Sequence, residues 1–201
     1  MRIRTGLLLA GLVSVVALTA CTGNSGAAPK PSSPPTATTV PTMVDDPIDL
    51  SRIAAKPCTM LRPDQLAQFH IVTPGTTGTN PISTGAAGVT CAWQPVQNTE
   101  PTYQAGVDLH SGGLPALYRR RSSLPVFQPF SESGYPGVDT ATSASVLAHG
   151  RCTVQIEVAA GVLLDASVTV RDTQAADYPD PCSDAQSFAA ATIANSQGQQ
   201  P

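Results

Sequence analysis

The sequence is poor in charged and aromatic residues, and it contains none of the common cofactor motifs. Charged residues make up 12% of the 201 residues, aromatic residues make up 4%, and the net charge is −3. Since no basic field for nucleic acid is present, a nucleic-acid partner is not expected. The absence of a Walker loop, a G-x-G-x-x-G turn and an EF-hand pattern predicts that the protein binds no cofactor.

The chain also lacks an apolar run that is long enough to cross a bilayer as a permanent helix. An uncharged, mostly apolar stretch from Gly6 to Ala20 follows the basic start Met1-Arg2-Ile3-Arg4. It is shorter than the roughly 20 residues that a spanning helix needs. A basic start followed by a short apolar run is typical of a signal peptide. We therefore expect residues 1–20 to be removed on export.

The apolar stretch ends in Leu18-Thr19-Ala20-Cys21, which resembles the bacterial lipobox. The resemblance implies cleavage before Cys21, acylation of its thiol and a position at the extracytoplasmic face of the cell membrane. The alternative is an ordinary secretory signal that happens to contain a cysteine. Two or three acyl chains hold a protein on a membrane more stably than one. Lipidation at Cys21 therefore predicts a stably anchored lipoprotein.

The sequence divides into four segments, of which the first is the signal peptide at residues 1–20. Residues 21–48 carry the lipidated cysteine and a tether rich in Pro, Ser, Thr and Gly, which cannot build a core. The Thr and Pro content of this tether would also suit O-glycosylation. Residues 49–197 have the length of a single domain, and residues 198–201 are predicted to be a disordered tail.

Hydrophobic periodicity predicts that residues 49–197 form an α+β domain, with an antiparallel sheet packed by a few amphipathic helices. The predicted strands are half-buried and comprise Val89–Trp93, Tyr103–Leu109 and a meander through 146–148, 152–158 and 164–170. Predicted helices begin at Pro63 and Pro181, and another covers Leu114–Leu124. Residues 73–88 repeat Gly, Thr and Pro without periodicity and are predicted to be a long loop.

Four cysteines remain after Cys21, and an even number in an exported protein predicts two disulfides. Metal binding is the alternative, but the sequence has no C-x-x-C pair and no histidine close to a cysteine. Cys152 shares a strand face with core residues, and Cys182 lies on the apolar stripe of the last helix. We therefore predict that Cys152 pairs with Cys182, which leaves Cys58 to pair with Cys91.

Several short motifs follow one another along the chain: a Leu-x-Pro-x-x-Leu helix after Cys58, Cys-x-Trp at 91–93, Gly-Arg-Cys-Thr-Val at 150–154 and Pro-Cys at 181–182. In this order and spacing they resemble the actinobacterial lipoproteins grouped as domain of unknown function 3558 (DUF3558). The resemblance implies an outer-leaflet position in a mycobacterium-like envelope and a fold similar to the Mog1 and PsbP-like sandwiches. It implies no catalytic residues. Arg62 departs from the pattern, because such proteins usually place Ser or Thr there to cap the first helix.

The three histidines are scattered along the chain at His70, His110 and His149. No pair has the spacing of metal ligands, so each is expected to be a solvated side chain and no metal site is predicted. The sequence contains neither a G-x-S-x-G elbow nor an S-x-x-K motif, so a hydrolase would need a catalytic constellation that the sequence does not reveal.

Two further features have both a functional and a structural interpretation. The run Arg119-Arg120-Arg121 could bind anionic lipid headgroups, although a solvated helix end is the more common role for such a run. Trp93 could line a ligand pocket, although a tryptophan beside a cysteine is more often part of the core.

The leading functional hypothesis is a non-catalytic binding or interaction module of the cell envelope, held on the membrane by lipid on Cys21. Its partner would be an envelope protein, a glycan or a lipid. The alternative is a carrier of a lipid or small hydrophobic ligand. A cryptic hydrolase is the third hypothesis, and the protein is not expected to be an enzyme.

Overall fold

A computed structural model describes residues 44–79, 88–97, 99–141, 149–171 and 180–199. The signal peptide, Cys21, most of the tether and the strand expected at 146–148 therefore lie outside the described residues. Within the described ranges the chain is α+β, with a seven-stranded antiparallel sheet and four α-helices. This architecture confirms the predicted fold class.

Strand order in the sheet is β1-β2-β3-β7-β6-β5-β4, and every neighbouring pair is antiparallel. The strands are β1 Thr76–Gly78, β2 Val89–Trp93, β3 Thr102–Asp108, β4 Val126–Glu132, β5 Tyr135–Ala141, β6 Arg151–Ala159 and β7 Val162–Thr169. The helices are α1 Ser51–Ala55, α2 Pro63–Gln68, α3 Gly113–Arg119 and α4 Pro181–Gln197, with short 3-10 turns at Pro57–Thr59 and Arg121–Ser123.

The main hydrophobic core lies between one face of the sheet and α4. The predicted alternation of apolar residues in β6 and β7 and the apolar stripe of α4 meet there, as the sequence indicated. The buried residues of this layer include Val154, Ile156, Leu164, Ala166, Ala185, Phe188 and Ile193. Burial of each large aliphatic or aromatic side chain stabilises the fold by about 1.5–3 kcal/mol, so this layer is a major source of stability.

The opposite face of the sheet is covered in part by α3, whose Leu114 and Leu117 pack with Leu163 of β7. The prediction that the polar residues of β6 and β7 face solvent was therefore wrong for Gln155 and Asp165, which are 0% and 1% exposed. They are tolerated because the Gln155 amide donates to Asp165 Oδ1 across 2.7 Å. A buried polar group costs little when it is hydrogen-bonded.

The C-terminal half of α4 is tied to the segment around α2 by polar side chains. The amide of Asn195 donates to the carbonyl of Met60, and the Arg62 guanidinium donates to Asn195 Oδ1 across 3.1 Å. Gln65 accepts from the Arg62 backbone N–H and donates to the carbonyl of Ala191. Gln65 thus satisfies the free backbone N–H at the helix start, and the unusual Arg62 instead links α2 to α4.

Two predictions from residues 73–124 need correction. The expected loop at 73–88 contains strand β1, which pairs with β2 but spans only Thr76–Gly78 and is too short to show alternation. The helix expected over Leu114–Leu124 ends at Arg119, and a 3-10 turn at Arg121–Ser123 follows it. Leu124 has the apolar spacing of the helix but lies after this turn, where the chain leads into β4.

The hairpin of β4 and β5 was not predicted. Ser133 and Gly134 connect the two strands with φ of 53° and 86°, as the tightest hairpin turns require. Strand β4 lies at the edge of the sheet and contains Pro129. A proline is acceptable in an edge strand because that position need not donate to a second neighbour.

Two disulfides fasten the peripheral segments to the sheet, and their pairing is the one that the strand faces and the helix stripe predicted. Cys58 of the first 3-10 turn is bonded to Cys91 of β2, and Cys152 of β6 is bonded to Cys182 of α4. The Cα atoms of each pair are 5.0 Å apart, within the usual range for a disulfide.

Candidate functional site

An apolar cleft opens between the loop that follows α2 and the loop that joins β2 to β3. Its volume is about 180 Å³. The cleft is lined by Phe69, His70, Ile71, Val72, Thr73, Trp93, Gln94, Pro95, Val96, Glu100, Pro101 and Tyr103. No Lys or Arg belongs to this lining.

The first wall of the cleft is set by the way in which α2 ends. His70 adopts a left-handed backbone conformation with φ of 57°, which turns the chain back over the helix. The backbone N–H of Ile71 then donates to the carbonyl of Leu66. Thr73 links this wall to the second one, because its hydroxyl donates to the carbonyl of Gln94 across 2.6 Å. The two loops are therefore held together by a direct hydrogen bond.

Aromatic rings from different elements form the floor of the cleft. These rings belong to Phe69, Trp93 and Tyr103, and they pack on the fully buried Phe188 of α4, whose ring centroid lies 5.0 Å from that of Phe69, 5.5 Å from that of Trp93 and 4.9 Å from that of Tyr103. The rings of Phe69 and Trp93 meet that of Phe188 edge to face, an arrangement that the aromatic quadrupole favours. Because these rings also belong to the main core, the floor is held rigidly.

Trp93 fulfils both of the roles that the sequence left open. It is 1% exposed and packs in the main core, on the strand that carries the disulfide-bonded Cys91. One part of the same residue lines the cleft. Its primary role is structural, and it contributes a wall to the cleft without offering an exposed ring face.

The rim of the cleft exposes two aliphatic side chains to solvent. Val72 is 79% exposed and Val96 is 68% exposed, and they project from the two facing loops. A third exposed aliphatic residue, Leu109, is 45% exposed and is not part of the cleft. The two exposed valines extend the apolar surface of the cleft out to its rim.

Two polar residues of the lining, Glu100 and Tyr103, come from the segment that leads from β2 into β3. The carboxylate of Glu100 accepts a hydrogen bond from the backbone N–H of Gln97 across 3.2 Å, which stabilises the β2–β3 loop. Tyr103 lies at the floor, and its hydroxyl donates to Oδ2 of Asp184 in α4. Burial and the neighbouring Asp184 charge raise the pKa of the Tyr103 phenol. The phenol therefore stays protonated and acts as a hydrogen-bond donor.

The three histidines are not brought together. His70 lines the cleft. His110 follows β3 with its backbone N–H bonded to Asp108, and His149 lies in the turn before β6. The described residues hold no group of three or more His, Cys, Asp or Glu side chains that could bind a metal ion.

The run Arg119–Arg121 lies at the end of α3, on the side of the sheet away from the main core. It takes no part in lining the cleft. Cys21, the expected lipidation site, lies outside the described residues. No helix within the described ranges has both the length and the apolar character that crossing a bilayer requires.

Sequence reasoning found Trp93 and His70 but did not identify the cleft that they line. Val72 and Val96 were missed because both lie in loops, where hydrophobic periodicity gives no signal. Single exposed apolar residues are common on protein surfaces, so neither valine by itself marks a site in the sequence.

Comparison with known proteins agrees with the motifs noted above. Residues 16–195 match the family described as protein of unknown function (DUF3558). No curated protein and no solved structure matches the chain significantly. Since the family match covers most of the sequence, the chain belongs to the DUF3558 family.

Proposed function

We propose that the protein is a lipid-anchored extracytoplasmic lipoprotein whose domain is a non-catalytic binding module. In this proposal the cleft binds an extended segment of a partner protein in the cell envelope. The observation that carries the proposal is the pair of exposed valines, Val72 and Val96, above a rigid aromatic floor. Together with the apolar floor, the two exposed side chains offer an apolar surface that a partner segment would cover, and burial of apolar surface favours association.

The size and charge of the cleft define the chemistry of the partner segment. A volume of about 180 Å³ is below the roughly 300–1,000 Å³ of sites that enclose a drug-sized molecule, so it suits one or two side chains of a longer ligand. The lining includes the carboxylate of Glu100 and no Lys or Arg. Charge complementarity therefore favours a segment that places a basic residue beside an apolar one.

The small volume of the cleft and the hydrogen bond of its Thr73 hydroxyl weigh against the two other hypotheses, a carrier and a hydrolase. A carrier must enclose most of a lipid chain or a small hydrophobic molecule, and the cleft is too small for that. A hydrolase needs a free nucleophile, but the hydroxyl of Thr73 at the cleft donates to the carbonyl of Gln94. The binding module is thus the function that this geometry supports best.

The proposed anchor is supported by the residues Leu18-Thr19-Ala20-Cys21 and by a family match that begins at residue 16 and so includes them. We also infer an actinobacterial envelope as the setting and a relationship to the Mog1 and PsbP-like sandwiches. Helices on both faces of an antiparallel sheet support that relationship. An experimental structure superposed on members of those folds would test it.

Peptide titration followed by NMR tests the cleft. Acetyl-Ala-Val-Lys-amide should shift the methyl resonances of Val72 and Val96, whereas acetyl-Ala-Val-Glu-amide should bind more weakly. Glu100→Lys should reverse that preference, and Leu109→Asp serves as a control at an exposed aliphatic residue outside the cleft. No shift with either peptide at millimolar concentration would contradict the proposal.

The anchor is tested separately by growing the native host with labelled palmitate. Wild-type protein should incorporate the label, and Cys21→Ala should abolish incorporation and leave an uncleaved precursor. Unchanged labelling of the variant would contradict lipidation at Cys21.

A further inference from the structure

Cationic residues are concentrated at one end of the sheet. The described ranges contain eight Lys and Arg residues. Five of them lie where α3 ends, β6 begins and β7 ends, and they are Arg119, Arg120, Arg121, Arg151 and Arg171. The protein as a whole has a net charge of −3. The cluster of cationic residues therefore arises from where these residues lie in the fold and not from an excess of Lys and Arg in the sequence.

The direction of α3 brings its last residues to this end. Helix α3 starts beside Glu157, near the far end of β6, because the backbone N–H of Leu114 donates to the Glu157 carboxylate. It ends at Arg119 beside β4, where the rings of Tyr118 and Phe127 lie 4.9 Å apart. The helix therefore runs along the sheet toward the end at which Arg151 begins β6.

The strand register places Arg151 on the same side of the sheet as the end of α3. Phe127 pairs with Thr140, and Thr140 pairs with Thr153. Arg151 precedes Thr153 by two residues, so both side chains project from one face. The neighbouring Cys152 projects from the other face, where it is bonded to Cys182 of α4.

Three of these arginines are exposed and form no salt bridge within the ranges that the structure describes. They are Arg119, Arg121 and Arg151. We call these three residues the arginine patch. Three unpaired guanidinium groups on one face form a local positive field, which attracts anions.

Apolar and aromatic residues border the arginine patch. Leu124, Val126 and Phe127 are each partly exposed, and they lie three to six residues after Arg121 in the chain. Aromatic and aliphatic side chains next to basic ones suit the headgroup region of a bilayer, where the cations meet phosphates and the apolar groups enter the acyl boundary. A soluble anion would use only the charges.

We propose that the arginine patch docks the domain on anionic phospholipid headgroups through their phosphate groups. The choice of a membrane as the source of these phosphates rests on the lipid anchor proposed above. A lipid anchor raises the effective concentration of headgroups around the domain, so weak contacts are enough to dock the domain on the bilayer. The domain would then have a second hold on the membrane besides its lipid.

Vesicle flotation of the unlipidated chain, starting at Thr22, tests this docking independently of the anchor. The vesicles contain either 30% phosphatidylglycerol in phosphatidylcholine or phosphatidylcholine alone. Each basic residue near an anionic surface contributes about 1 kcal/mol, so Arg119→Gln with Arg121→Gln should lower partitioning roughly 25-fold. Adding Arg151→Gln should bring the loss to roughly 100-fold.

The matched control removes the same number of charges elsewhere, through Arg52→Gln with Lys56→Gln in and beside α1. This control should change partitioning less than about threefold, because those residues lie outside the patch. Equal losses in the two double variants would overturn the proposal by showing a net-charge effect. Binding to soluble polyphosphate without binding to phosphatidylglycerol vesicles would also overturn it. Neither result depends on whether Cys21 is lipidated.

Discussion

The hydroxyl of Tyr103 donates a hydrogen bond to Oδ2 of Asp184 across 2.8 Å, joining β3 to the first turn of α4. Burial raises the pKa of Asp184 and outweighs the opposing effect of this hydrogen bond. The same bond fixes the Tyr103 ring against Phe188, with ring centroids 4.9 Å apart. This polar contact therefore helps to position both the start of the final helix and the rings at the floor of the cleft.

Removing the donor should be more damaging than neutralising the acceptor. Tyr103→Phe leaves the partly buried Asp184 carboxylate without its partner, and we expect a loss of about 1–3 kcal/mol in the free energy of unfolding. Asp184→Asn keeps an acceptor oxygen and removes a buried charge, so it should cost less than about 1 kcal/mol. Urea unfolding of both variants at pH 7 measures the difference. A larger loss for Asp184→Asn would contradict this account.

A second buried carboxyl, Asp139, makes the stability of the domain depend on pH. Both carboxylate oxygens of Asp139 accept from the Gln186 amide, at 2.9 and 3.1 Å. Burial and the charge of Asp180 nevertheless raise the pKa of Asp139 above its ordinary value of 3.8. The pKa of Asp184 is raised as well. Both groups therefore bind a proton more tightly in the folded chain than in the unfolded chain.

The sign of the pH effect follows from that difference. The stabilising contribution of Asp139 and Asp184 is fully present below pH 3.8 and is lost as the pH rises through their raised folded-state pKa values. We expect Asp139→Asn with Asp184→Asn to remove this decline from the plot of unfolding free energy against pH. Chemical denaturation between pH 3.5 and 7, compared with wild type, measures it.

Asp64 provides a control of opposite sign. The Arg62 side chain lowers the pKa of Asp64, so its contribution is present above the unfolded-state pKa and is lost as the pH falls. Asp64→Asn should therefore remove a rise of the unfolding free energy with pH, whereas the substitutions at Asp139 and Asp184 should remove a decline. A double variant at Asp139 and Asp184 with the same pH profile as wild type would contradict the role assigned to these carboxyls.

The sequence predicted the elements whose pattern is strictly local. Strands β6 and β7 and helix α4 were identified because their apolar residues repeat with the period of one secondary structure. The disulfide pairing followed from the same pattern, since Cys152 and Cys182 lie on the two faces that must meet. Each of these inferences used only the pattern within single elements, together with the rule that the apolar faces of a helix and a sheet pack against each other.

What the sequence did not reveal depends on contacts between distant segments. The polar residues Gln155 and Asp165 are buried because α3 returns over the second face of the sheet, and alternation alone cannot show which face a later helix will cover. The cleft likewise forms only when the loop after α2 meets the β2–β3 loop. Val72 and Val96 are far apart in the sequence, so neither position signals the other.

Removal of either disulfide should destabilise the domain strongly. The bonds close loops between residues separated by 33 and 30 positions, which corresponds to about 3–4 kcal/mol each if they act through chain entropy. Cys152→Ala with Cys182→Ala should lower the free energy of unfolding by that amount. The unreduced wild-type chain from Thr22 onward should show no titratable thiol after denaturation. Two or more thiols per chain would refute the disulfide assignment.

Gly75 lies against the Trp93 ring and the sulfur of Cys91, two residues after Thr73 of the first cleft wall. A Cβ atom on this residue would lie 2.7 Å from Nε1 and 2.9 Å from Cε2 of the Trp93 ring, and it would also meet the sulfur of Cys91. Those neighbours cannot retreat easily, because Trp93 packs on Phe188 and Cys91 is held in a disulfide. Gly75→Ala should therefore cost about 1–3 kcal/mol through overpacking.

Gly198→Ala is the matched control for this substitution. Its added Cβ would lie 3.6 Å from the carbonyl oxygens of Ala194 and Asn195, an ordinary contact distance, and its φ of −68° suits an alanine. It should change the free energy of unfolding by less than about 0.5 kcal/mol.

Because Trp93 is the single tryptophan of the chain, its fluorescence reports directly whether the Trp93 ring is displaced. Gly75→Ala should shift the emission spectrum of the folded protein, whereas Gly198→Ala should leave it unchanged. Identical spectra and stabilities for the two variants would show that the Trp93 ring moves aside without cost.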